Sequence, residues 1–197
     1  IKAYLKIAYN KPGNAYAGLV HRLDRPTGGV MVYAKTSKAA ARLTEGWQSG
    51  DFEKKYLTVL CGTPETERGT LVNYLRKNAV NNMMYICTQT EEGAKFASLD
   101  YRVLESKGRY SLAEVRLHTG RTHQIRVQMA GKGHPLLGDK KYGTKESIEA
   151  SRELGIKRQM LHAGLLSFPA FEEGFEGVSG KSFRAPLPED MEKLIQK

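Results

Sequence analysis

Two neighbouring runs, KFASLDYRVLE at residues 95–105 and YSLAEVRLHT at 110–119, decide the fold class. Each interleaves apolar and polar residues in the two-residue rhythm of a strand with one buried face. The Ser106–Arg109 stretch between them supplies the turn. MMYICTQT at 83–90, followed by Gly93, extends the pattern upstream. The three runs therefore read as consecutive strands of an antiparallel meander. Further out, EKKYLTVLCG at 53–62 alternates and ends in glycine, so it reads as another strand, whereas residues 63–82 are loop-rich and poorly periodic.

Towards the start, VMVYA at 30–34 reads as a strand that follows a tight turn at Gly28-Gly29. Thr36 or Ser37 can cap a helix over 38–48, where Ala39, Ala40, Leu43 and Trp47 fall at helical spacing, and Gly50 closes it. The opening IKAYLKIAYNKPGNAYAG reads as a short helix running into a Pro/Gly loop. Such an opening suggests a fragment of a longer chain. Towards the end, THQIRVQMA (122–130) reads as a helix capped by Thr122 and stopped by Gly131 and Gly133. A turn-rich loop (133–143), a polar helix (145–156) and a strand (160–168) follow. EEGFEG (172–177) is a solvated acidic turn, SFRAPLP (182–188) a last strand and PEDMEKLIQK a terminal helix with acids in its first turn. No internal repeat or low-complexity tract occurs. The expectation is a single α+β domain over residues 1–197, built on a large, mainly antiparallel sheet flanked by helices.

Composition narrows the functional classes. With 26% charged and 40% hydrophobic residues in 197, the chain has the balance of a folded domain long enough to bury a core. Its formal net charge of +10 points to an anionic partner, nucleic acid first. Two cysteines, Cys61 and Cys87, exclude a disulfide framework and any CxxC-based zinc or redox site. No apolar run approaches a membrane span and no signal-peptide pattern opens the sequence, so a reduced, cytoplasmic setting is the default expectation. The five histidines form no HExxH, and no carboxylate stands at a helical ligand spacing from any of them, so no metal site is expected. Gly177–Ser182 ends like a phosphate loop, but Phe175 occupies the place of its first glycine and no apolar strand precedes it. A GxSxG nucleophile elbow is absent.

Two polar clusters remain. In His21-Arg22-Leu23-Asp24-Arg25, one carboxylate sits among two arginines and a histidine, and Pro26-Thr27-Gly28-Gly29 then turns the chain sharply. Nearby cations favour the ionised carboxylate, so Asp24 is either a presented nucleophile or base, or one half of a solvated surface ion pair. In Gly120-Arg121-Thr122-His123-Gln124-Ile125-Arg126, helical spacing puts Arg126 on the apolar face of Ile125 and Met129. A buried arginine keeps its charge and needs an acid, unless it snorkels at the edge of the stripe. Arg121 stays near the helix start, and His123 and Gln124 point elsewhere, free for hydrogen bonds. An Asp that wants cations and an Arg that wants an anion suit each other. Tyr56, within Lys54-Lys55-Tyr56, reads from the pattern alone as core packing, and its basic neighbours as a solvated face.

These motifs resemble, in order, those of the RluA-type pseudouridine synthases. HRLDRPTGG at 21–29 is similar to the family's HRLD-x-x-TSG motif, Lys54-Lys55-Tyr56 to its second motif and GRTHQIRV at 120–127 to its third. The GHPLLGD loop at 133–139, Leu161-His162-Ala163 and FRAPLP at 183–188 resemble its closing segments. Gly28 and Gln128 depart from the usual serine and histidine, and Asn10-Lys11-Pro12-Gly13 reads as a chance echo of an upstream element. An upstream segment is therefore expected to be missing from this catalytic domain. The resemblance implies a cofactor-free isomerisation of uridine in ribosomal or transfer RNA, in a central cleft; a monomer is the default expectation, which nothing in the sequence fixes. It assigns Asp24 as nucleophile, Arg126 as its ion-pair partner, and Tyr56 as the ring packed on the uracil and a base if its pKa is lowered. Arg22, Arg121, His123 and Gln124 become RNA contacts. The alternative is a non-catalytic RNA-binding or RNA-chaperone module that keeps the fold.

Overall fold

The computed structural model describes residues 1–196; Lys197, at the end of the expected terminal helix, lies outside the described residues. In chain order come α1 (Lys2–Ala8), β1 (Gly18–Leu19), β2 (Gly28–Gly29), β3 (Tyr33–Ala34), α2 (Ser37–Ser49), β4 (Glu53–Cys61) and β5 (Arg68–Lys77). Then follow β6 (Met84–Cys87), β7 (Lys95–Ser106), β8 (Tyr110–Leu117), α3 (Gln124–Gly131), α4 (Lys145–Glu153), β9 (Leu161–Ser167), β10 (Ser182–Arg184) and α5 (Glu189–Ile195). One sheet runs β10-β9-β4-β8-β7-β5-β6, with β2 added in parallel to β9, and β1 pairs β3 separately. All the other pairings of the large sheet are antiparallel, so the α+β expectation holds.

Alternation along β4 explains the layers. Leu60 joins Leu99, Val115, Ile125 and Met129 in a core under α3. Val59, one residue earlier and so on the opposite face, joins Ala150 of α4 and Met191 and Leu194 of α5. Each fully buried aliphatic side chain of this kind contributes about 1.5–3 kcal/mol. A third core gathers Leu43 of α2 with Phe52, Leu166 and Phe168. Helices thus cover both faces of the sheet's centre.

The structure corrects four local expectations. Residues 68–77 are not loop but β5, registered on β7 from Arg68↔Arg102 to Leu75↔Lys95. Only Leu75 is buried along it, so an apolar period barely exists, and the backbone ladder holds what the side chains do not announce. In consequence 83–90 does not neighbour 95–105: β6 pairs β5, and β5 lies between β6 and β7. Of 30–34 only Tyr33–Ala34 forms a strand, while Gly28-Gly29 is itself β2 on β9, where Val30 N–H donates to Ala163 O at 2.9 Å. Helix α3 begins at Gln124 with His123, not Thr122, at its N-cap, because His123 adopts a left-handed conformation, φ +52°, that breaks the helix before it.

Candidate active site

Asp24 sits on the loop leading into β2, and three features fix that loop. Thr27 N–H donates to Asp24 O at 2.6 Å. Strand β2 is laid so closely on β9 that a Cβ on Gly29, at φ +126°, would fall 2.2 Å from Ala163 O; only glycine fits. Further back, His21 Nε2 accepts from Val32 N–H at 3.1 Å, and the ring stacks on Trp47 at 3.9 Å. His21 is therefore the loop's peg. Burial, and after it the charge of Lys54, lower its pKa to about 4.

The carboxylate meets α3. Arg126 Nη1 donates to Asp24 Oδ2. From its other edge Arg126 grips Asp139 in a two-point fork, Nε to Oδ2 at 2.6 Å and Nη2 to Oδ1 at 2.7 Å. His123 Nε2 lies 3.3 Å from Asp24 Oδ1, and Gln159 Nε2 donates to Asp24 Oδ2 at 3.3 Å. Burial alone would raise the Asp24 pKa. The hydrogen bonds and charges of His123 and Arg126 outweigh it and hold the group at about 2. Arg126 likewise loses to burial but gains more from Asp139 and Asp24, so its charge is secure.

Tyr142 sets how His123 approaches. Met84 N–H donates to Tyr142 Oη at 2.9 Å, and the phenol oxygen shares a 2.7 Å hydrogen bond with His123 Nδ1. In the neutral ring, a phenol that donates to Nδ1 leaves the proton on Nε2, facing Asp24; in the charged ring both nitrogens carry one. A non-glycine residue held at φ +52° carries about 1–3 kcal/mol of strain, a cost met by surrounding contacts and common at functional sites.

Around this centre lies a cleft of about 780 Å³. Tyr56, Arg22, Arg121 and Gln124 line it together with Asp24, His123 and Arg126, so all the residues singled out in the sequence meet in one place. They differ in how free they are. Arg22 is exposed, whereas Arg121 is exposed but tied through Nε to Phe96 O at 2.8 Å. Gln124 is buried and engaged internally, accepting from Thr119 Oγ1 and Arg121 N–H and donating to Ser98 O. Burial pushes the Tyr56 phenol up to about 12, so the lowered pKa required of a base is not met in this structure. Sequence reasoning missed Asp139, Tyr142 and Gln159. For Asp139 a signal existed: a buried arginine needs an acid, and Asp139 is the first acid after the helix, in the turn-rich loop that follows it. Nothing local marks the other two. Among the described residues no group of three or more His, Cys, Asp or Glu gathers as metal ligands, and no helix is long and apolar enough to cross a membrane.

Comparisons with known proteins place the chain in a family. A family profile described as RNA pseudouridylate synthase matches residues 3–131. The chain is 39% identical over 193 residues to an uncharacterized RNA pseudouridine synthase of Chlorobaculum parvum, covering 91% of this chain and 57% of that protein. It is 36% identical over 188 residues to ribosomal large subunit pseudouridine synthase D of Zymomonas mobilis, covering 93% and 57%. In fold it is similar to human RNA pseudouridylate synthase domain containing 4, with a TM-score of 0.79 at 24% identity, covering 98% of this chain and 81% of that one. Human RNA pseudouridylate synthase domain containing 1 gives 0.69 at 27% identity, covering 98% and 82%. The chain belongs to the RNA pseudouridylate synthase family and is of the RluA type. It spans 57% of the length of the two bacterial relatives.

Proposed function

We propose that this chain is the catalytic domain of an RNA pseudouridine synthase and that Asp24 is its nucleophile. The observation that carries the reading is the ionised Asp24 carboxylate, aimed by Arg126, His123 and Gln159 at the floor of a cleft large enough for a nucleotide. The reaction is an isomerisation. The N1–C1′ bond breaks, the uracil turns while held, C5 bonds to C1′, the C5 proton leaves and N1 gains one. Asp24 attacks the sugar C1′ or the base, or assists a glycal route. Arg126 holds the carboxylate ionised until it attacks and again once the bond it formed has broken in favour of C5–C1′. Tyr56, as a neutral phenol, packs on the uracil.

A uridine inside folded RNA must be flipped out to reach this floor, at a cost of roughly a few kcal/mol. Arg22, exposed beside the nucleophile, is placed to occupy the vacated stack or hold phosphate, and Arg121 to meet the backbone. His123 meets the RNA at the floor, and Gln124 contributes by holding the Arg121 loop. Relatives named as acting on the large ribosomal subunit favour ribosomal over transfer RNA as the substrate class. A monomer working in the cytoplasm without a cofactor completes the reading.

Pseudouridine mapping of RNA from cells with and without the gene tests it and names the site. At least one position is expected to lose its signal, and to recover it with the parent chain but not with Asp24→Asn. A variant that binds RNA as well as the parent and makes no product supports catalysis. An unchanged map leaves a binding module.

A further inference from the structure

Lys54 is the unexplained charge of the cleft. It stands two residues before Tyr56 on β4, so both side chains leave the same face of the sheet, and both line the cleft. The residue is 3% exposed. Its ammonium enters no hydrogen bond or ion pair among the described residues. What it touches is the Trp47 ring, 5.0 Å from the centroid, and that ring is stacked in turn on His21. His21 brings no negative charge, and its Nε2 is already taken by Val32 N–H.

The neighbours sharpen the contrast. Lys55, one residue on and therefore on the opposite face, reaches Glu53 at 3.8 Å and Glu114 at 3.7 Å. Arg126, deeper in the same cleft, has two acids. Only an aromatic face attends Lys54, and a cation–π contact compensates a desolvated ammonium in part. Holding a charge largely out of water without an anion is costly, and burial accordingly pushes the Lys54 pKa below the usual lysine value, with the tip of the side chain left facing the cleft. A charge so placed is explained by an anion that arrives with the ligand.

We propose that Lys54 is a phosphate-binding residue of the cleft, its ammonium taking a non-bridging oxygen of the phosphodiester next to the flipped nucleotide. This rests on the reading of the cleft as an RNA site. A uracil carbonyl is neutral and would leave the charge unbalanced, whereas RNA carries an anion on either side of every internal nucleotide. Lysine serves phosphate as a point charge and needs no fork geometry. Trp47 and His21 form the wall that holds the ammonium in place before RNA comes.

The proposal separates function from stability. Lys54→Met removes a largely desolvated charge that has no anion beside it, so its melting temperature is expected to rise by about 2–4 °C. Its affinity for a short single-stranded oligouridylate is expected to fall about tenfold, with the slope of log K against log salt shallower by about 0.7. Lys54→Arg keeps the slope. In the parent, neutral methylphosphonates walked one at a time along the oligouridylate should find a linkage whose neutralisation weakens binding about as much as Lys54→Met does. In Lys54→Met that same substitution should cost nothing further. Parent affinity and slope in Lys54→Met overturn the proposal. So does a loss of folding, or equal penalties for charged and neutral linkages, since either marks a structural lysine. If the parent binds the oligomer but forms no pseudouridine in any RNA, the catalytic reading fails while the Lys54 result stands by itself.

Discussion

Asp24 and Asp139 hold one guanidinium from two sides, and they are built for different ends. The Asp139 side chain is 0% exposed. Besides the Arg126 fork, its Oδ1 accepts Lys141 and Tyr142 N–H at 2.9 and 3.2 Å. The Asp24 side chain is 26% exposed, and one of its oxygens has only His123 at 3.3 Å. The anchoring acid is saturated, and the presented acid keeps lone pairs turned to the cleft. Arg126 needs both: Asp139 compensates its burial and sets its orientation, which frees the third nitrogen to aim Asp24. Charge pairing thus gives rigidity where it is closed and chemistry where it is left open.

The two acids can be told apart by replacement. Asp24→Asn should lower product formation by about four orders of magnitude or more while costing about 1–2 kcal/mol of stability, read by single-turnover assay and urea denaturation. Arg126→Ala should cost about 3–5 kcal/mol, because it strands Asp139 in the core, and turnover with it. A stable, active variant would dissolve the pairing. Asp139→Asn should reverse the Asp24 pattern, with a stability loss near that of Arg126→Ala, about 3 kcal/mol, and only partial loss of rate. Tyr142→Phe should slow product formation about tenfold by freeing the His123 tautomer, with RNA affinity unchanged. The smallest effect is in acid. The Asp24 pKa is depressed from 3.8 to about 2, so its stability contribution is complete above the unfolded value and disappears as pH falls through about 2. Urea curves of parent and Asp24→Asn should therefore differ by a constant above about pH 5 and converge towards pH 2.

How legible all this was in the sequence depended on the range of the interaction. Helix α2, with Thr36 accepting from Ala39 N–H and Gly50 left-handed at its end, follows from local chemistry alone. Strand β8 announces itself because its buried face alternates, and β4 and β7 do so through polar and apolar residues that alternate along part of their length, although both faces are buried at their centres. Strand β5 does not, because its partners are backbone groups. At the site, Asp24 and Arg126 were found as complementary needs 102 residues apart. Gln159, 135 residues from Asp24, carries no such need in its own neighbourhood. An ideal helix from Thr122 faces His123 away from Asp24; the left-handed backbone at φ +52° turns it towards the carboxylate instead, and nothing in the local sequence marks that turn.

The pairing of β2 with β9 has a temporal meaning. Gly28 and Gly29 have no partner until His162 and Ala163 have been synthesised, and Gln159 must arrive with them. Contacts closing so long a loop form late in folding. A chain still leaving the ribosome therefore holds Asp24 on a loop pinned only by its local contacts, and the cleft is complete only once β9 has emerged.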